Sequence, residues 1–280
     1  MAKKFIQLTK QVEELKDLKD TFRAIEKISA GYLHFLRQRT QALNKYAETL
    51  ITFSSLLNYQ HFKSPFLIRR QGRKLIFIIT SNKGNCGGLF HKLIDFSINE
   101  ITWKDEVAVY GNRGRRLLKE KGIKVNYYFE GEEIIFQKER FEKIKEFLTD
   151  KYLKKQISEI AIVYPKFVHL TKFRPTVFKF LPIQRSELIE VLQPIESREV
   201  IYEPSYAQVV EYFLKEYLEV ELLSKFFETR LCELLARTIF MEEAQEKIDC
   251  ITKKLIHNAL KLRKLEITKN LTDLYSKIYG

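Results

Sequence analysis

The sequence predicts an α/β protein, in which a long antiparallel coiled coil of N- and C-terminal helices carries an inserted Rossmann-like α/β domain. All six prolines lie between Pro65 and Pro204, and eight of the ten glycines lie between Gly72 and Gly131. Because these residues interrupt regular helices, the breaks are confined to the middle of the chain. Apolar residues also recur at helical spacing on both sides of it. The expected parts are an N-terminal coiled-coil helix over 1–64, an α/β globular domain over 65–204 and a C-terminal coiled-coil helix over 205–280.

The C-terminal segment carries an apolar residue at every seventh position. The members of this stripe are Phe213, Val220, Phe227, Leu234, Met241, Ile248, Leu255 and Leu262. A sustained seven-residue repeat is the pattern of a left-handed coiled coil. A continuous helix over this segment would be roughly 110 Å long, at about 1.5 Å per residue, so it is expected to protrude from any compact body.

The N-terminal segment shows apolar residues spaced by threes and fours. They are Leu8, Val12, Leu15, Leu18, Phe22, Ile25, Ile28, Tyr32, Phe35, Leu43, Tyr46, Leu50, Phe53 and Leu57. This spacing predicts a second long amphipathic helix. Two long helices joined by a compact domain most simply pair as an antiparallel coiled coil. Ordinary helix-bundle core is the alternative, and the length of the helices disfavours it.

The middle of the chain alternates between strand and helix patterns. The predicted strands are Leu75–Thr80, Glu106–Tyr110, Lys124–Phe129, Glu159–Tyr164 and Val177–Pro182, the last two joined by a turn near Thr171–Pro175. The predicted helices are Lys92–Trp103, Arg115–Lys121 and Phe136–Tyr152. Such alternation predicts a mostly parallel sheet with helices on its faces.

The loop TSNKGNCGG follows the first predicted strand and contains Gly84, Cys86, Gly87 and Gly88. It matches neither GxGxxG nor GxxxxGK followed by a hydroxyl residue. We therefore expect a structural corner whose glycines allow positive φ, with Cys86 as a small buried apolar residue. A phosphate cradle and a cysteine nucleophile are the alternatives. A second turn, GNRG at 111–114, could bind an anion at a helix N-terminus but is more simply a turn.

Composition limits the possible functions. The net charge of +13 favours acidic partners, namely nucleic acid, anionic lipid or an acidic protein surface. Three cysteines without a CxxC pair and scattered histidines without HExxH predict neither a disulfide framework nor a zinc site. No apolar run is long enough to span a membrane, and the N-terminus lacks the pattern of a signal peptide. The basic helices could follow nucleic acid phosphates or sit inside an acidic protein collar, and composition does not choose between these.

Seven segments resemble, in order, the motifs of one family. They are AIEKISA (24–30), ITSNKGNCGGLF (79–90), VYGNRGRRLLKEKG (109–122), IVYPKFVHLTKFRPTVFKFLPI (162–183), YEPS (202–205), ELLARTIFMEEA (233–244) and RKLEITKNL (263–271). On these motifs the chain resembles the gamma subunit of F-type ATP synthases, the central rotor shaft. The resemblance spans essentially the whole length.

The resemblance implies a set of partners. The coiled coil would insert into the ring of alternating alpha and beta subunits. The foot and the α/β domain would rest on the c-ring of the membrane sector, beside the epsilon subunit. Rotation of the shaft would couple ion flow to ATP synthesis or hydrolysis. The resemblance implies no catalytic residue, cofactor, metal or nucleic acid for this chain, and contact with the membrane only through partner subunits. It implies a peripheral location on the cytoplasmic face of a bacterial inner membrane, or on the equivalent face in an organelle.

Matching positions suggest contact residues. Ile25 takes a family position near the acidic loop of the beta subunit, while Glu233, Arg237 and Thr268 match polar positions that couple the shaft to the ring. Lys264 replaces the glutamine of the last motif. Since Glu233 and Arg237 are spaced i,i+4, an ordinary helix pair is the alternative for them. The departures from the family pattern leave open a shaft of a specialised ATP-hydrolysing motor. From other classes, a basic coiled-coil nucleic-acid-binding protein and a small nucleotide-binding enzyme stay as alternatives.

Overall fold

The computed structural model describes residues 2–54, 64–131, 137–169, 172–184 and 202–279. In chain order the elements are α1 Ala2–Ser54, a short 3-10 helix Pro65–Leu67, β1 Lys74–Ile79, α2 Leu89–Glu100, β2 Glu106–Tyr110, α3 Asn112–Glu120, β3 Tyr127–Phe129, α4 Lys138–Leu153, β4 Glu159–His169, β5 Lys172–Leu181 and α5 Tyr206–Tyr279. The α/β class and the two long terminal helices are confirmed. The predicted domain limits at 64/65 and 204/205 stay a prediction.

The strands form one mixed sheet in the order β3-β2-β1-β4-β5. β1 is parallel to both β2 and β4, with Phe77 opposite Ala108 on one side and Ile162 on the other. β3 continues the parallel part beside β2, and β5 is antiparallel to β4. The central strand KLIFII is apolar after its first residue because helices cover both faces of the sheet.

Two apolar cores lie on opposite faces of this sheet, because successive side chains of a strand point in opposite directions. Ile76 and Ile78 pack with residues of α2 and α3. Leu75, Phe77 and Ile79 pack with residues of α4 and with the first part of α5. The long C-terminal helix therefore occupies the place of a layer helix in a doubly wound fold. It begins near the amino ends of the parallel strands and runs toward their carboxyl ends.

The chain divides into two compact units, one of residues Met1–Gly31 with Arg237–Gly280 and the other of residues Tyr32–Ala236. In the first unit α1 and α5 are antiparallel, since Lys19 binds Asp249 and Glu26 binds Gln245. In the second unit they are antiparallel as well, since Tyr46 of α1 binds Glu216 of α5 and Asn44 binds Ser224. Of the seven-residue stripe on α5, the residues up to Ile248 are buried and the last two are half-buried, which confirms the predicted seam.

The predicted inward face of α1 is partly wrong. Leu18, Ile28, Tyr32, Phe35, Tyr46 and Phe53 are exposed. The face that is buried or half-buried includes Leu8, Val12, Leu15, Phe22, Ser29, Thr40, Leu43, Ala47 and Leu50. The sequence pattern mixed two faces because apolar residues occur on both, while small polar residues fill two inward positions. Leu57 lies outside the described residues.

The predicted turn near Thr171–Pro175 is also wrong for the part that the structure describes. β5 begins at Lys172, and Pro175 lies within it opposite Pro165 of β4. Pro175 suggested a turn, but an edge strand tolerates the missing N–H group. Two predicted helices also shift: α2 and α3 begin earlier than predicted, and α2 ends before Trp103. Phe136, the predicted start of α4, and Thr171 lie outside the described residues.

Candidate functional site

The glycine loop after β1 packs against the turn that follows β2, at the carboxyl end of the sheet. Three N–H groups at the start of α3 donate to this loop. Arg113 N donates to the carbonyl oxygen of Ser81 (2.9 Å), Gly114 N to Thr80 Oγ1 (3.1 Å) and Asn112 N to Asn82 Oδ1 (2.9 Å). A helix N-terminus binds an anion through such N–H groups, and here protein acceptors already occupy them.

Two glycines of the GNRG turn are needed for this close packing. Gly111 has φ +93°, and a Cβ there would lie 2.7 Å from the Ser81 backbone. A Cβ at Gly114 would lie 2.5 Å from Thr80 Oγ1. The glycines thus allow two loops of the protein to pack closely. In dinucleotide-binding proteins, glycines at such a turn instead allow the backbone to approach a phosphate.

The predicted corner residues lie together in the loop before α2. Cys86 is buried among apolar residues of α2 and the sheet, and its thiol donates to the carbonyl oxygen of Gly84 at 3.2 Å. Gly87 has φ +55° and Gly88 precedes the first residue of α2. The nearby His91 ring lies 3.3 Å from Arg113 Nη2. These contacts describe a strand-to-helix corner, and the role of the loop in an assembled protein stays a prediction.

The predicted contact residues are distributed over both units. In the first unit, Ile25 is half-buried, Arg237 is buried, and Lys264 and Thr268 are exposed. Thr268 Oγ1 donates to the Lys264 carbonyl oxygen at 3.0 Å, so these two share one helix turn. In the second unit, Glu233 is buried and accepts a hydrogen bond from Arg230, three residues earlier. Their roles as contacts stay predictions.

An exposed apolar surface covers the end of α5 in the first unit. Its members are Leu260, Leu265, Ile267, Leu271, Leu274, Tyr275 and Ile278, each more than half exposed. Exposed apolar surface of this extent marks an interaction site. The sequence analysis missed it because the seven-residue stripe ends at Leu262. The feature of the sequence that could have indicated this surface is the series of apolar residues after Leu262, which does not follow the seven-residue spacing.

A group of buried charges on α5 faces the β4–β5 hairpin in the second unit. Lys225 Nζ donates to Glu221 Oε2 at 2.5 Å and lies 4.4 Å from the centre of the Phe178 ring. Glu228 Oε1 accepts from Phe167 N at 2.9 Å. Burial raises the pKa of the Glu228 carboxyl, and the hydrogen bond from Phe167 and the charge of Lys225 oppose this only in part.

The same part of the hairpin is joined to α5 by a buried cysteine. Cys232 Sγ donates to the Pro165 carbonyl oxygen at 3.2 Å. Burial raises the pKa values of both the Cys232 thiol and the Tyr164 hydroxyl well above their usual range. The sequence analysis missed this group because a Glu and a Lys four residues apart are typical of an exposed helix pair.

Two kinds of feature are missing from the ranges that the structure describes. Within those ranges, no group of three His, Cys, Asp or Glu side chains is arranged to hold a metal ion. In the same part of the chain, no helix is long and apolar enough to cross a membrane.

The ATP synthase family, as described by its sequence model, matches residues 4–277. The chain belongs to the ATP synthase gamma chain family. The gamma chain of Thiobacillus denitrificans is 26% identical over 276 residues, which cover 94% of each chain. That of Caldicellulosiruptor saccharolyticus is 25% identical over 291 residues, which cover 99% of this chain and 98% of the relative. The resemblance found in the seven motifs is thus confirmed.

Solved structures show the same gamma chain fold. A chain of the rotor of the Euglena gracilis mitochondrial ATP synthase has a TM-score of 0.69 at 15% identity, with 95% of this chain and 100% of that chain covered. A chain of the central stalk and c-ring structure of the Tetrahymena thermophila enzyme has a TM-score of 0.59 at 14% identity, with 80% and 99% covered. At such identities the likeness shows the fold.

Proposed function

We propose that this gamma chain is the central rotor shaft of an F-type ATP synthase. It couples ion-driven rotation of the membrane c-ring to ATP synthesis or hydrolysis in the alpha–beta head. The observation that carries the proposal is the match to the gamma chain family over nearly the whole chain, on two long antiparallel helices.

The helix pair of the first unit is suited to rotate as one body. The Lys19 ammonium contacts both carboxylate oxygens of Asp249, at 2.6 and 2.7 Å, and Gln245 Nε2 donates to Glu26. These side-chain contacts fix the register of the two helices, because a shift along the axis would separate both pairs. A shaft that keeps its register transmits torque without slipping.

The proposed partners are the alpha and beta subunits of the head, the epsilon subunit and the c-ring. Structures that contain a similar chain include the Euglena gracilis assembly of OSCP, F1 and c-ring. The exposed apolar end of α5 suits a surrounding collar of subunits, because such a surface is costly in water. The membrane sector would hold the complex at the cytoplasmic face of a bacterial inner membrane or an equivalent face.

We propose that the chain itself is not catalytic. The N–H groups that a nucleotide phosphate would need at the start of α3 donate to Thr80, Ser81 and Asn82. ATP chemistry would therefore take place on the alpha and beta subunits. The shaft would act by favouring one conformation of each catalytic subunit at each angle, through contacts that differ between conformations.

The proposed contact residues divide by exposure. Lys264 and Thr268 are exposed and can touch a partner, and Ile25 is half-buried. Glu233 and Arg237 are buried, so they would act through the position of α5 rather than as an open surface. Replacing the exposed residues should therefore weaken a contact with a partner, whereas replacing the buried ones should disturb the packing of α5.

Co-expression with the other subunits tests the proposal. Purified complex is expected to contain a single gamma chain per alpha–beta hexamer. Truncation after Ala259 removes the exposed apolar end of α5, and it should lower ATP-driven ion pumping more than ATP hydrolysis. Recovery of the chain alone, or with nucleic acid, would contradict the proposal.

Point variants test the surface residues. Lys264→Ala with Thr268→Ala should lower the ratio of pumping to hydrolysis, since both side chains lie on one exposed turn. Lys253→Ala, an exposed lysine on the same helix, is the matched control and should leave the ratio unchanged. Equal effects of the two changes would rule out a specific contact at 264 and 268.

A further inference from the structure

Trp103 is the single tryptophan of the chain and projects from its surface. Its side chain is 89% exposed, in the turn Thr102–Asp105 between α2 and β2. The indole N–H has no acceptor among the described residues. A tryptophan left so exposed offers a large apolar ring with one polar edge, which is the chemistry of an interface between water and an apolar phase.

Hydrogen bonds hold this turn in place. Asp105 Oδ2 accepts from Thr102 N at 2.9 Å and from Thr102 Oγ1 at 2.6 Å, and Asp105 N donates to the Thr102 carbonyl oxygen at 3.0 Å. Trp103 is therefore presented by a formed turn, and ordering it on binding costs little conformational entropy.

The surroundings of Trp103 are cationic. Lys104 Nζ lies 4.8 Å from the centre of the indole, and Lys124 lines the same hollow of about 630 Å³. Three cations, Arg73, Lys104 and Lys124, line the hollow against two carboxylates, Asp105 and Glu106, and Glu106 also lies 3.5 Å from Lys151. In the described part of the chain, neither Lys104 nor Lys124 has a carboxylate within ion-pair distance. The surface thus combines an exposed indole with two ammonium groups that form no ion pair with the described residues.

This surface lies at the end of the sheet where α5 begins. β1, β2 and β4 start there in parallel register, as Leu75 pairs with Glu106 and Ile160. Farther along α5, Phe226 contacts Phe77 in the middle of β1, and Cys232 contacts the second half of β4. The Trp103 turn therefore lies at the end of the second unit where α5 begins. In a rotor shaft whose C-terminal helix end enters the catalytic head, this end would face the c-ring and the membrane.

We propose that the turn Thr102–Asp105 contacts anionic lipid headgroups, with Trp103 entering the headgroup layer and Lys104 and Lys124 binding phosphate groups. Tryptophan is enriched at the level of the headgroups, and lysines near an anionic bilayer are attracted to it. This inference rests on the proposed function, which supplies the membrane-facing end. Its exposed indole and its lysines match an anionic lipid surface, which offers the same chemistry at every angle of a rotating shaft. The contact would add to the attachment through partner subunits.

The single tryptophan allows a direct test with the full-length chain. Vesicles of phosphatidylcholine with phosphatidylglycerol should shift Trp103 emission to shorter wavelength, and brominated lipids should quench it. Vesicles of phosphatidylcholine alone should do neither. Lys104→Gln with Lys124→Gln should weaken binding about thirty-fold, from about 1 kcal/mol per lysine near the surface.

The matched control is Lys92→Gln with Lys172→Gln. These two lysines are also exposed and lie toward the carboxyl ends of the strands, and their replacement removes the same amount of charge. They should leave the emission shift unchanged. An equal loss from both pairs, or no shift with anionic vesicles, would overturn the proposal. A shift seen only with purified c-ring would replace lipid by a protein partner. A chain that responds to vesicles but fails to join the alpha–beta hexamer would reject the shaft function instead.

Discussion

Replacing Lys225 with methionine should destabilise the second unit by about 3–5 kcal/mol, because it leaves a buried carboxylate without its cation. The side chains of Lys225 and Glu221 are only 11% and 10% exposed, and methionine keeps most of the apolar length of the lysine. Glu228, which is partly stabilised by the same ammonium, loses that charge as well. For a chain of this size the melting temperature should fall by about 6–20 °C.

The same helix provides a matched control. Lys215 and Glu211 form the same i,i+4 pair at 2.8 Å, but their side chains are 60% and 55% exposed. Lys215→Met should therefore cost less than about 0.5 kcal/mol. Adding Glu221→Leu to Lys225→Met should recover most of the lost stability, since apolar replacement of a buried pair is often neutral. Urea unfolding followed by circular dichroism measures all four proteins. Equal costs at 215 and 225 would refute the reasoning.

Three further predictions concern Gly111, Glu228 and Lys19. Gly111→Ala should lower the free energy of unfolding, measured by thermal unfolding, by about 2–5 kcal/mol, because Gly111 has a positive φ and a Cβ there would clash with Ser81. Gly31→Ala, in open space on α1, should raise it by up to about 1 kcal/mol. Because burial raises the Glu228 pKa, the folded state holds that proton more tightly than the unfolded chain, so stability falls as pH rises from about 4.5 through the folded value. Glu228→Gln keeps the oxygen acceptor, so its stability relative to the parent should increase over that range, and a constant difference would contradict this. Lys19→Gln should cost about 0.2–1 kcal/mol at low salt and less at high salt, as its pair with Asp249 is half exposed; an undiminished cost in high salt would show a different cause.

The elements that sequence predicted well are those whose pattern depends on few neighbours. The strand KLIFII is apolar because both faces are covered, and the seven-residue stripe from Phe213 on α5 depends only on its own spacing. The turn at Gly111 could also be recognised from the sequence, because the close packing of the two loops there requires glycine.

The failures occurred where a second element decides the outcome. Apolar residues on α1 could face inward or outward, and only the pairing with α5 placed Ser29 inside and Ile28 outside. The i,i+4 spacing of Glu221 and Lys225 is typical of a solvated helix face, and only the contact with the β4–β5 hairpin makes these charges buried. The predicted helix extended to Trp103 because the spacing of apolar residues does not reveal the turn that Asp105 closes.

The position of α5 over the sheet also has a consequence for synthesis on the ribosome. One face of the sheet, which includes Leu75 and Phe77, is covered by Phe226 and its neighbours on α5. These residues are translated after every strand of the sheet. Until the C-terminal segment emerges, α4 alone covers part of this face, and the apolar remainder leaves the nascent chain prone to aggregation during that interval.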